Sequence, residues 1–330
     1  MSRLDPSVAA VRVAVRSVLS KMDDPGLALA AVSGGADSLA LAAALAFVAP
    51  RLGWRAGLLT VDHQLQPGSD SQAADVAKWA ASTGLSPAEV LVVQVDGPGG
   101  PEAAARDARY AALASAASRL GARIVLLGHT EDDQAETVLL ALARGCGPRG
   151  LSGMPAIRVI DGISFARPLL GLSRQTLRAA CAAQNLVPWE DPHNADRAYA
   201  RARLRQEGMP ALLKALGHDV VPNLARTASL VAADSAYLDS LATVAFGQCV
   251  AGDGLSVEAL SSLPDPIRTR VLHGWALSLG VPGAALSHRH VAALDAMVVA
   301  WHGQGPAMLP GGITVQRSAG LLRPSLRAAA

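Results

Sequence analysis

The chain has 330 residues, 51% hydrophobic and 17% charged, with a mean hydropathy of +0.28. That length exceeds one domain of ~100–200 residues, and that composition excludes a disordered chain. The net charge of +2 hides an uneven distribution: residues 141–214 carry 11 Lys+Arg against 5 Asp+Glu, a stretch that suits a polyanion or, equally, a solvated surface.

At the N-terminus, Arg3, Asp5, Arg12 and Arg16 interrupt any signal-peptide core, and the longest apolar run, 39–49, falls short of the ~20 residues that span a bilayer. A soluble cytoplasmic protein is expected. Short apolar runs at 27–32, 56–61, 90–95 and 124–127 read as buried strands of a parallel sheet, since both alternating faces are apolar. Helical patterns at 39–47, 71–82, 103–119 and 132–143 separate them. The alternation predicts a doubly wound α/β sheet whose ligand site lies beyond the carboxyl ends of the strands.

After residue 150 the pattern becomes irregular, then helical over 173–184 and 200–216. A helical stretch over 224–246 leads into a small last domain, with helices expected at 266–279 and 288–301 and a β meander over 309–323. The expected division is a catalytic domain over 1–215, a helical linker over 216–250 and a small C-terminal α+β domain over 251–330. Cys146, Cys181 and Cys249 lie far apart with no C-x-x-C pair, which argues against a disulfide framework, a zinc ribbon or a cysteine-held iron–sulfur cluster.

The first strand runs into Ser33, Gly34, Gly35, Ala36, Asp37 and Ser38, which open a helix. Strand, glycine turn and helix N-terminus in that order make an anion site from backbone N–H groups and the helix dipole. Asp37 repels phosphate unless a Mg²⁺ stands between them, so it points to a metal–nucleotide complex. An ordinary capped strand–helix turn is the bland alternative. Neither G-x-x-x-x-G-K-[ST] nor G-x-G-x-x-G is present.

Further along, His129, Asp133 and Glu136 stand at i, i+4 and i+7, which puts an imidazole and two carboxylates on one helix face. The same residues also fit a Thr130 N-cap followed by acids that complement the helix dipole.

The hexapeptide resembles the S-G-G-x-D-S signature of the PP-loop ATP pyrophosphatases, of the adenine nucleotide α-hydrolase-like fold. Three more segments narrow the likeness: Asp62-His63-Gln64-Leu65, Gly128-His129-Thr130-Glu131-Asp132-Asp133 through Glu136, and Pro188-Trp189-Glu190-Asp191 followed by Asn194 and Arg201 to Arg205. Together they resemble the tRNA(Ile)-lysidine synthetases over roughly residues 25–215. One departure stands out, since Gln66 occupies a place where that family usually has arginine.

The resemblance implies a ligase that adenylates the wobble cytidine of CAU-anticodon tRNA(Ile) with ATP, then replaces the adenylate at C2 with L-lysine. Lysidine, AMP and pyrophosphate are the products. It implies ATP at Ser33, Gly34, Gly35, Ala36, Asp37, Ser38, Asp62 and Gly128, with Mg²⁺ at Asp37. Lysine falls to Asp133 and Glu136, and the chemistry to Asp37, Arg109, His129, Asp133 and Glu136. Arg167, Arg201, Arg203 and Arg205 are implied to face tRNA, where a planar guanidinium suits phosphate. The alternative is another PP-loop tRNA-modifying or amide-forming adenylating enzyme.

Overall fold

The computed structural model describes residues 4–64, 68–94, 101–189, 199–283 and 285–326. Gln66, Glu190, Asp191 and Asn194, and the end of the strand expected at 90–95, lie outside the described residues. The chain forms two compact units, Met1–Ala232 and Ala233–Ala330, and the division falls within one helix of the expected linker, α10 (Val220–Cys249).

The first unit opens with α1 (Pro6–Leu19), a helix that the pattern reading did not identify. Its signals are local: Asp5 accepts the Ser7 N–H at 2.8 Å, Pro6 sits in the first turn, and Val8, Val11, Val15 and Leu19 form one buried stripe. Next come β1 (Leu27–Ala31), α2 (Ala36–Val48), β2 (Arg55–Asp62), α3 (Ser69–Ser82), β3 (Ala88–Val92), α4 (Pro101–Arg119), β4 (Ala122–Leu127) and α5 (Glu131–Ala143). These strands are mutually parallel where they pair.

The sheet order is β3-β2-β1-β4-β6-β5, where, after the short α6 (Pro148–Leu151), β5 (Ile157–Ile160) and β6 (Ile163–Ala166) form a hairpin in the region expected to be irregular. β6 runs parallel to β4 and β5 runs antiparallel to β6, so the sheet is mixed at that edge. At the other edge, β3 is not fully buried as expected: Val92 is 60% exposed.

β1 shows why both faces had to be apolar. Ala28 and Ala30 join the core beneath α1, α2 and α7 (Arg174–Ala182), while Leu27 and Leu29 meet Leu113 and Ala117 of α4 on the opposite face. Each buried leucine contributes roughly 1.5–3 kcal/mol, and each alanine less. Strand order reverses at β1, with β2 on one side and β4 on the other, and a ligand crevice forms at such a reversal. After α7, α8 (Ala200–Arg203) and α9 (Met209–Leu216) flank a π-helical turn, Leu204–Gly208.

The second unit has its own core. An antiparallel sheet in the order β7-β8-β11-β10-β9 is built from Val250–Ala251, Gly254–Ser256, Leu321–Leu326, Ile313–Ser318 and Ala307–Leu309. Leu255, Val315 and Leu322 from that sheet are buried with Leu272 and Leu294 of α12 (Asp265–Ser278) and α13 (His288–Val299). The meander matches expectation; the short β7 and β8, and α11 (Val257–Ser261), carry too few residues for a periodic signal. Among the described residues, no helix is long and apolar enough to cross a membrane.

Candidate active site

The turn from β1 into α2 is shaped for close approach. Gly34 has φ +88°, a conformation natural to glycine, and its carbonyl accepts the Trp189 N–H at 3.0 Å. The Ser33 N–H donates to Ser38 Oγ at 3.2 Å, and that hydroxyl donates to the Gly35 carbonyl at 2.9 Å. The loop lines a cleft of about 480 Å³ together with Asp62 and His63 at the end of β2, Arg109 of α4, and Gly128 and His129 beyond β4. A Cβ on Gly128 would stand 3.2 Å from the backbone of Asp37 and Ser38. A larger residue there would require the loop to give by a few tenths of an ångström.

Several polar atoms in the cleft are buried without a hydrogen-bond partner: Asp37 Oδ1, His63 Nδ1, Arg109 Nε and His129 Nδ1. Buried polar atoms are almost always satisfied, so this cluster marks a place where a polar ligand belongs. Burial pushes the Asp37 carboxyl up to about 6, against the pull of Arg174. Burial, with Arg109 next, pushes the His129 imidazole down to about 3 and lowers that of His63. Both rings are therefore neutral at pH 7. Arg109 lies within this group, its guanidinium 5.5 Å from the Tyr110 ring.

Deeper in the first unit, α5 supplies the carboxylates. Thr130 caps the helix: its side chain accepts the Asp133 N–H, and Asp133 Oδ2 accepts the Thr130 N–H at 2.9 Å. The capping reading is realised with one oxygen of Asp133, and the second oxygen points away from the cap. Asp133 Oδ1 takes Arg174 Nη2 at 2.9 Å and Arg205 Nη2 at 3.1 Å. Glu136, only 2% exposed, takes Arg205 in a bidentate pair at 2.8 and 2.9 Å, with Arg174 at 3.4 Å. Burial works to raise the Asp133 pKa, but Arg174, the Thr130 N–H and Arg205 outweigh it and hold the carboxyl below its ordinary value.

Arg174 is the main residue that sequence reasoning missed. It opens α7, its N–H donates to Asp132 Oδ2 at 2.8 Å, and its guanidinium reaches Asp37 at 3.7 Å as well as Asp133 and Glu136. One side chain thus bridges the phosphate loop and the carboxylate pair. No motif contained it; the available clue was that two carboxylates sharing a buried helix face need counter-charges.

Two of the arginines expected to face tRNA are placed otherwise. Arg167 is 3% exposed and donates to the Pro155 carbonyl at 2.7 Å and to Tyr110 Oη at 2.9 Å, so it supports the sheet edge and does not reach a polyanion. Arg205 turns inward, because Glu136 is buried and an unpaired buried carboxylate is costly. Arg201 donates to Thr137 Oγ1 at 3.1 Å and stands 3.8 Å from Glu136, while Arg203 is exposed.

These features define a PP-loop nucleotide-binding domain. Residues 10–212 match the family model described as a PP-loop domain, and residues 255–323 match the TilS substrate binding domain. The tRNA(Ile)-lysidine synthase of Salinispora tropica is 62% identical over 98% of this chain and 97% of its own. That of Streptomyces coelicolor is 51% identical, covering 96% of this chain and 97% of its own. The chain belongs to the tRNA(Ile)-lysidine synthase family. Among solved structures, the U34-tRNA thiolase NcsA of Methanococcus maripaludis shares the fold, with a TM-score of 0.56 at 15% identity over 68% of this chain and 80% of that one. The present chain has its three cysteines unpaired, two of them buried, with burial pushing the Cys181 thiol up to about 11.

Proposed function

We infer that the chain ligates L-lysine to C2 of the wobble cytidine of CAU-anticodon tRNA(Ile) in two ATP-dependent steps. The single observation behind this reading is the pairing of a phosphate loop with a buried carboxylate pair, linked by Arg174. In the first step the cytidine C2 oxygen attacks the α-phosphorus of ATP, and pyrophosphate leaves. The loop N–H groups and the start of α2 hold the polyphosphate, and Arg109 faces the charge that develops as pyrophosphate departs. In the second step the lysine ammonium gives up a proton to a site carboxylate, the neutral ε-amine attacks C2, the C–O bond breaks, and AMP leaves.

Asp37 fits a Mg²⁺, since its buried Oδ1 has no other partner and Mg²⁺ commonly uses one or two carboxylates plus substrate phosphates. When bound, the ion neutralises phosphate charge beside the loop. Asp133 and Glu136 receive the lysine ammonium. Asp133, held ionised, suits gripping a cation better than removing its proton. The exposed Arg203 and the basic segment around it face the tRNA phosphates, and the second unit adds to that hold. A reaction on ATP and tRNA belongs, on this reading, in the cytoplasm.

The deciding experiment is transfer of labelled lysine to unmodified CAU-anticodon isoleucine tRNA with ATP and Mg²⁺, followed by mild alkali, with methionine tRNA as control. Alkali-stable label on the isoleucine tRNA alone is the expected result. Pyrophosphate release without lysine transfer, on any tRNA, would overturn the lysidine assignment.

A further inference from the structure

The carboxylate pair assigned to the lysine ammonium already holds cations. Arg205 binds both oxygens of Glu136 and shares Asp133 Oδ1 with Arg174, and Arg201 stands 3.8 Å from Glu136, so three guanidiniums crowd the two carboxylates. An incoming ammonium finds both Glu136 oxygens and Asp133 Oδ1 already taken by guanidinium, and no free face on Glu136, which is 2% exposed. Bringing a further cation onto those oxygens is electrostatically unfavourable unless one guanidinium leaves.

The two arginines differ in how firmly they are held. Arg174 is fixed at the start of α7: its own N–H is bonded to Asp132, Ser173 caps the helix, and its guanidinium has four acidic neighbours. Arg205 sits in the π-helical turn Leu204–Gly208, whose Met209 N–H reaches back to the Leu204 carbonyl. Such a turn holds one residue more than an α-helix, and taking up that residue rotates the flanking chain by about 100°. Arg201, Arg203 and Arg205 also lie on the basic segment, where a polyanion offers a competing partner.

We propose that Arg205 is an internal occupant of the substrate-ammonium site, seated on Asp133 and Glu136 until tRNA draws it away, so that lysine is admitted only when the nucleotide to be modified is in place. The proposal rests on the reading that Asp133 and Glu136 bind lysine. Its chemistry is that of exchange: one cation for another on the same oxygens, with the displaced guanidinium passing to a phosphate. A buried carboxylate pair is then never left uncompensated. Arg174 stays and orients the arriving amine.

The test is calorimetric titration of L-lysine into the full chain saturated with Mg²⁺ and α,β-methylene-ATP, with and without unmodified CAU-anticodon tRNA. Wild type is expected to bind lysine about tenfold more tightly with tRNA than without. Arg205→Gln is expected to bind without tRNA nearly as tightly as wild type does with it. A gain in affinity is not what a damaged fold produces. Arg205→Met, which keeps the side-chain stem, serves if the first variant does not melt cooperatively. Unchanged or weaker lysine binding in both tRNA-free variants overturns the proposal. Glu136→Gln separates the two levels: if it abolishes lysine binding while the Arg205 variants gain nothing, only the occupancy idea falls. If Glu136→Gln leaves lysine binding intact, the carboxylate assignment and the proposal resting on it fall together.

Discussion

Burial holds the Asp37 carboxyl at about 6 even with Arg174 beside it, so the ligand-free fold disfavours the ionised form relative to the unfolded chain. For a group raised in this way, the stability it contributes is fully present below the ordinary pKa of 3.8 and is lost as pH rises through about 6. Asp37→Asn removes that loss. The variant is expected to be more stable than wild type at pH 7.5 by at most ~3 kcal/mol, with the gap shrinking as pH is lowered towards 4. Denaturant melts at several pH values check this; a gap that does not change with pH counts against it. Arg167 and Arg203 make a contrasting pair. Arg167→Ala leaves Tyr110 and the Pro155 carbonyl without their buried donor, so it is expected to cost about 2–4 kcal/mol of stability. Arg203→Ala, on an exposed side chain, is expected to shift stability by no more than ~1 kcal/mol and to lower the salt dependence of tRNA binding by about one ion. Reversed outcomes would restore the tRNA-facing role to Arg167.

At the scale of elements, the site depends on how closely β4 approaches the phosphate loop. Gly128→Ala sets a methyl group 3.2 Å from the backbone where α2 begins, and backbone yields less readily than a side-chain tip. Overpacking of ~1–3 kcal/mol, taken up at the loop, corresponds to about a tenfold or greater loss of ATP affinity. Nucleotide titration with a parallel thermal melt measures it, and unaltered affinity would show that the loop has room to spare. The buried strands β1, β2 and β4 were legible because apolar residues on both faces leave few other structures open to them. The β5–β6 hairpin was overlooked although its turn was written in the chain: Asp161 and Gly162 have φ +49° and +79°, the two left-handed positions a tight hairpin requires. What hid it was the exposure of Ile157 and Val159, apolar residues facing outward on an edge strand. The phosphate loop and the α5 carboxylates could be read locally. Arg174, 41 residues beyond Asp133, could not, since only the fold brings α7 beside α5.

At the scale of the whole molecule, each unit owns a separate buried cluster, and every residue lining the cleft belongs to the first. A fragment spanning residues 1–232 is expected to bind ATP like the full chain while losing tRNA affinity by about tenfold or more, and residues 220–330 are expected to melt cooperatively alone. Nucleotide and tRNA titrations of the fragments test the division. A first fragment that fails to bind ATP would make the two units one folding entity.

The arginine lining has a chemical consequence of its own. An adenylated cytidine is an electrophile poised for any primary amine, and an enzyme that held its carboxylates neutral with lysines would risk modifying itself. Guanidinium stays protonated and is not a nucleophile at working pH. The chain has only three lysines, Lys21, Lys78 and Lys214, and none lines the cleft. Arg174→Lys would create the hazard, since that side chain lines the cleft and stays on the carboxylates. Given ATP and tRNA without free lysine, that variant is expected to form an enzyme–tRNA adduct that survives denaturing electrophoresis; wild type under the same conditions stays clean, and two clean lanes would mean that residue 174 never meets the activated base.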